Sequence, residues 1–145
     1  MTDDIFRQHR VMIAAGEDLL ATARRTPPAR LEEIAQLRVR LAGLAMAHLK
    51  AEEETIVRPL MSSGRIDQIP GAAALIAECR AGHGAYSDHV RRWTLPAIDA
   101  DRAGYAQALS QMLDQLRVMM EREERLLYWP ALRLLGATPR ETQAG

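Results

Sequence analysis

The chain carries a single cysteine, Cys79, in 145 residues, which excludes an internal disulfide. It has no excess of either charge: nineteen basic and nineteen acidic side chains cancel. The positive field that draws proteins to nucleic acid or to an anionic membrane surface is therefore missing, and neither is expected as a partner. No long uncharged apolar run is present, so no membrane-spanning segment is expected. The first residues, "MTDDIFRQHR", put acids and a histidine where a signal peptide needs an apolar stretch. Together these features predict a cytoplasmic protein. No nucleophile paired with a base and no Gly-rich phosphate loop can be picked out, which argues against hydrolytic and nucleotide chemistry and leaves no catalytic residue to name. The length fits one domain with a core of its own.

Aromatic residues make up only 4%. Ala, Leu, Arg, Glu and Met, all good helix formers, dominate instead. The class expected is all-α. Three punctuated stretches, "RTPPAR" at 25–30, "MSSGRIDQIPGAA" at 61–73 and "TLPAIDADRAG" at 94–104, divide the chain into four helical segments. The first runs from about Asp3 to Arg24, with Ile5, His9, Met12 and Leu19 on one face. Thr26 is a candidate N-cap with Pro27 at the first helical position, and the second segment then carries Ile34, Leu41, His48 and Glu52 on one stripe. In the third, roughly Ala72 to Trp93, the stripe passes through Cys79, His83 and Tyr86 and leaves His89 on the flank. The fourth, roughly Asp101 to Leu135, brings Leu109, Leu116, Met119, Glu123 and Leu127 inward.

Helices of this length with short connections pack as an antiparallel up-down-up-down four-helix bundle over residues 1–135, with 136–145 as a disordered tail. The two halves repeat one another. "HLKAEEETIVRPL" at 48–60 and "MMEREERLLYWPAL" at 119–132 share two glutamates and a proline at equal spacing. Two hairpins packed face to face bring His9, His48, Glu52, His83 and Glu123 to one point.

A buried carboxylate is costly unless it is paired, hydrogen-bonded or coordinated, and two facing one another are worse. A cation relieves both. His-x-x-x-Glu sets imidazole and carboxylate one turn apart on one face, and this donor set suits iron, manganese or zinc. The metal-free alternative pairs Glu52 and Glu123 with histidines or arginines. Glu53, Glu54, Glu121 and Glu124 read as a solvated or partly buried flank, pairing with Lys50, Arg122 and Arg125. Tyr128 and Trp129 read as anchors for the end of the last helix, with electron transfer a second reading, and Met119 reads as gap-filling core. Gly82 and Gly84 in "AGHGAY" imply a close helix approach, a bulge that re-aims His83, or a frayed turn.

"IFRQHRVM", "HLKAEEE" and "REERLLYWP" resemble the hemerythrin-like (HHE cation-binding) domains over residues 3 to 133. That resemblance implies a four-helix bundle with a non-haem diiron centre. Carried over by position, the metal ligands are His9, His48, Glu52, His83 and Glu123. A sixth ligand, a histidine in the family, is Met119 here, and a thioether is a poor ligand for ferric iron. Each proline also stands one residue further from its glutamates than the family usually has it. The resemblance thus implies an asymmetric centre holding one or two irons, in a protein that binds or senses iron, dioxygen, nitric oxide or peroxide. The rival readings are a degenerate bundle acting as an interaction module, as a homodimer or with a protein partner, and an iron enzyme activating oxygen or peroxide.

Overall fold

The computed structural model describes the backbone of residues 3–144 and the side chains of residues 4–136. Among these every regular element is helical: α1 (Asp3–Ala23), α2 (Leu31–Glu52), α3 (Arg58–Ser62), α4 (Ala72–Arg92), α5 (Leu95–Ala100), α6 (Arg102–Glu123) and α7 (Trp129–Ala144). The long helices α1, α2, α4 and α6 form the antiparallel four-helix bundle. The tail expected at 136–145 falls largely on residues whose side chains lie outside those described.

The helix starts differ from expectation where proline chemistry decides. Thr26 and Pro27 each precede a proline, which biases both away from helical backbone, so α2 begins only at Leu31. Arg30 takes the N-cap position with extended backbone and no capping side chain, and Glu32 and Glu33 supply negative charge to the first turn. The stretch 94–104 holds a short helix where a loop is predicted. Thr94 caps α5 by accepting from the Ala97 N–H, and Asp101 caps α6 by accepting from the Gly104 N–H at 2.9 Å. Ile98 of α5 is fully buried and closes that end of the bundle.

The apolar core is split in two. One cluster gathers Ile5, Ile56, Leu60, Leu75 and Leu127; the other gathers Leu19, Ile34, Ile98, Leu109 and Leu113. Between them lies a buried polar layer formed by His9, His48, Glu52 and Glu123. α1 and α6 cross closely at this core: a Cβ added to Gly16 would lie 2.3 Å from Leu113 Cδ2, so a larger residue there would have to displace the Leu113 side chain. α4 packs unevenly. Its first half buries Ala72, Leu75, Ile76 and Cys79, whereas no residue from Arg80 to Arg92 is fully buried.

Two helices contain a wide π turn. One spans Glu53–Val57 and the other Glu124–Tyr128, each immediately after the inward glutamate of its half and just ahead of a proline. The Arg58 N–H bonds back to Glu53 C=O and the Trp129 N–H to Glu124 C=O, five residues earlier in each case. A proline inside a helix has no N–H to give and its ring crowds the carbonyl four residues back, and a widened turn accommodates both. A π turn also absorbs one extra residue in a helix. Both halves have one extra residue between glutamates and proline relative to the family they resemble.

Candidate metal centre

α1 and α2 place His9 and His48 side by side, both nearly inaccessible, with their Nε2 atoms 2.9 Å apart. The other nitrogen of each ring is committed. His9 Nδ1 lies 2.7 Å from Glu124 Oε2 and His48 Nδ1 lies 2.8 Å from Gln8 Oε1. A carboxylate and an amide oxygen only accept, so each Nδ1 carries a hydrogen, and in the neutral tautomer this selects, the two Nε2 lone pairs face each other. Protonating a ring would bridge them, but burial and the neighbouring His48 lower the pKa of His9, outweighing the pull of Glu124. A carboxylate behind an imidazole is also the usual device for aiming a metal-binding histidine.

Glu52 stands one turn beyond His48, its Oε2 3.4 Å from His48 Nε2. Among the described residues, His9, His48 and Glu52 form the group whose ligand atoms all lie within 4.8 Å of one another. Glu123 comes from the opposite hairpin, with Oε1 3.6 Å from His9 Nε2. Burial first, and then the charge of Glu52, push the Glu123 carboxyl far above the usual carboxylate range. Burial raises Glu52 as well, but its contacts with His48, Tyr128 and Glu123 outweigh it and hold Glu52 low. Glu123 Oε2 is buried without a hydrogen-bond partner. Converging lone pairs, one orphaned carboxyl oxygen and a hard N/O donor set fit a divalent or trivalent cation.

The remaining expected ligand position lies apart. His83 is half-buried on α4 and lines the same cavity, but it does not join the close group. At the position related to His48, Met119 packs its sulfur 3.4 Å from Cys79 Sγ. Burial, followed by Glu123, raises the pKa of the Cys79 thiol, so it stays protonated. The region where a second ion would need its imidazoles is thus lined by a thioether and a neutral thiol.

Three further residues belong to this layer. Glu124, read as solvated or partly buried flank and here partly buried, orients His9. Gln8, not singled out from the sequence, orients His48. Tyr128, read as an anchor, is fully buried in the centre: its hydroxyl donates to Glu52 Oε2 and lies 3.2 Å from His9 Nε2 and 3.1 Å from His48 Nε2. On a regular α-helix Tyr128 would point about 140° away from Glu123, and the π turn between them turns it back. Phe6 fixes the ring edge-on at 5.7 Å. His89, expected on the flank, stacks at 5.9 Å on Tyr105, away from the centre.

A cavity of about 830 Å³ opens between α2, α4 and α6 and reaches His9, His48 and Glu123. Gly82 lines it, and a Cβ added to Gly82 or Gly84 would meet nothing within 4 Å. α4 runs unbroken through both. Close approach and a bulge therefore do not account for these glycines.

The family model described as the hemerythrin HHE cation binding domain matches residues 1–140 of the chain. No curated protein and no solved structure matches the chain. Among the described residues no helix is long and apolar enough to cross a membrane.

Proposed function

The chain belongs to the hemerythrin HHE cation-binding domain family, and from that premise we propose that it holds non-haem iron and binds or senses a small ligand: dioxygen, nitric oxide or peroxide. One ion is held by His9, His48 and Glu52 with Glu123 beside them, and the position toward Met119 is weak. The observation that carries this reading is the head-on meeting of the His9 and His48 Nε2 atoms at 2.9 Å, with both Nδ1 atoms held by acceptors. Such an arrangement is unfavourable on its own and becomes favourable around a cation. Carboxylate and imidazole donors suit iron, and the family is defined by cation binding.

Bound iron would supply redox and Lewis-acid chemistry at the base of the cavity. The chain's own residues supply the rest. The two apolar clusters cover the polar layer on either side and leave the cavity as its approach. Leu41, Ala45, Met112 and Leu116 give the cavity an apolar wall, suited to an uncharged diatomic more than to an ionic metabolite. Glu124 and Gln8 hold the imidazoles in the tautomer that binds metal.

The test is elemental analysis of protein expressed in iron-replete medium. We expect close to one iron per chain, lost in His48→Ala. Two irons per chain would overturn the weak-second-position part of the reading, and none would overturn the whole of it.

A further inference from the structure

Tyr128 has no counterpart among the five ligands carried over by resemblance, yet its oxygen sits among them. Metal bonds of about 2.1 Å to imidazole nitrogen and carboxylate oxygen separate neighbouring ligand atoms by about 3.0 Å at a right angle and about 3.4 Å at a tetrahedral one. The separations here are 2.9 Å for His9 Nε2 to His48 Nε2, 3.1 and 3.2 Å from the Tyr128 oxygen to those nitrogens, and 3.4 Å from His48 Nε2 to Glu52 Oε2. The Tyr128 hydroxyl and Glu52 Oε2 are in contact as well. Four of the separations among these donor atoms of α1, α2 and the π turn after α6 thus match the edge lengths of a single coordination shell, and the Tyr128–Glu52 contact is a tighter hydrogen bond.

Proton counting points the same way. Tyr128 has one hydrogen and gives it to Glu52, which leaves its oxygen lone pairs turned toward the Nε2 atoms of His9 and His48. The repeat adds a further reason. Met119 stands where the first half has His48, and Tyr128 stands where the first half has Val57. The half that lacks an imidazole has a phenol one π turn further along, aimed at the same layer.

We propose that Tyr128 is a metal ligand, its phenolate completing a mononuclear centre with His9, His48 and Glu52. This rests on the iron reading above. When the ion enters, the phenolic O–H bond breaks, a metal–oxygen bond forms, and the proton leaves to solvent. The anionic oxygen then stabilises the ferric over the ferrous form, as a hard ligand does.

The experiment loads the full chain with ferrous iron under air, measures bound iron, and records the visible absorption and resonance Raman spectra. Phenolate-to-iron charge transfer gives a visible band whose Raman excitation enhances tyrosine ring modes. Wild type is expected to show that band, Tyr128→Phe to lose it, and Tyr105→Phe, which removes a buried hydroxyl outside the layer, to keep it. Iron bound without phenolate modes in wild type overturns the ligand assignment and leaves the iron reading standing, with no variant required. A band that survives in Tyr128→Phe overturns it equally. No bound iron in wild type overturns both. As a second readout, Tyr128→Phe should release one proton fewer per iron bound than wild type.

Discussion

The stretches "HLKAEEETIVRPL" and "MMEREERLLYWPAL" share their glutamates, their proline and the π turn between them, yet contribute different chemistry to the layer where they meet. The first hairpin supplies both close imidazoles and one carboxylate, Glu52. His9 and His48 are packed against one another on α1 and α2, each with its outer nitrogen held. The second hairpin supplies oxygen: Glu123, the Tyr128 hydroxyl and, behind His9, Glu124. Its own histidine, His83, sits on a helix whose second half buries nothing completely, beside an open cavity. A duplicated scaffold can therefore keep a closed donor layer after losing symmetry, because a ligand need come only from somewhere in the layer and not from the matching position.

Related positions give variants that test this difference. The largest effect is expected at His48. With free iron at about a hundred times its dissociation constant, binding adds about 2.7 kcal/mol to stability, a rise in Tm on the order of 10 °C for a chain of this size. Differential scanning calorimetry with iron and with chelator should show that rise in wild type, no rise in His48→Ala, and an undiminished rise in Met119→Leu. An equal loss in Met119→Leu would mean that the second half contributes its position 119 after all.

A smaller effect is expected one residue past each inward glutamate. Glu124 bonds His9, whereas Glu53 meets only Arg80 at 3.9 Å on a partly exposed surface. Glu124→Gln should weaken iron binding about 10- to 100-fold, as loss of an outer-shell carboxylate does, and Glu53→Gln should leave it unchanged in competition with a chelator. The smallest effect concerns α4. Gly82→Ala has room for its methyl group and should raise the urea midpoint by the equivalent of about 0.5–1 kcal/mol. A destabilised Gly82→Ala would show that α4 lies closer to its neighbours than the cavity implies.

Much of the layer was legible in the sequence because helix periodicity is regular over most of its length. Counting threes and fours from Ile34 reaches Leu41, His48 and Glu52, and all four are buried. The same count through Leu109 reaches Glu123 and Leu127, also buried. It carried less where α-helical geometry lapses. Tyr128 lies at the far end of the π turn, so a count at 3.6 residues per turn assigned it an anchoring role and missed its place in the layer. Glycine in a helix signals that something differs, but both a crowded Gly16 and an open Gly82 give that signal, and only the neighbouring helix distinguishes them.

The sequence by itself determined the all-helical class, the repeat, the polar residues on apolar stripes and the replacement of a histidine by Met119, because each depends on residue type and spacing along one helix. The tertiary structure alone decided which of those residues meet. His9 and His48 face each other nitrogen to nitrogen, Gln8 and Glu124 fix their tautomers, His83 stays apart, and Tyr128 turns into the centre. These depend on the distances between helices and on two π turns, and no pattern within a single helix contains either.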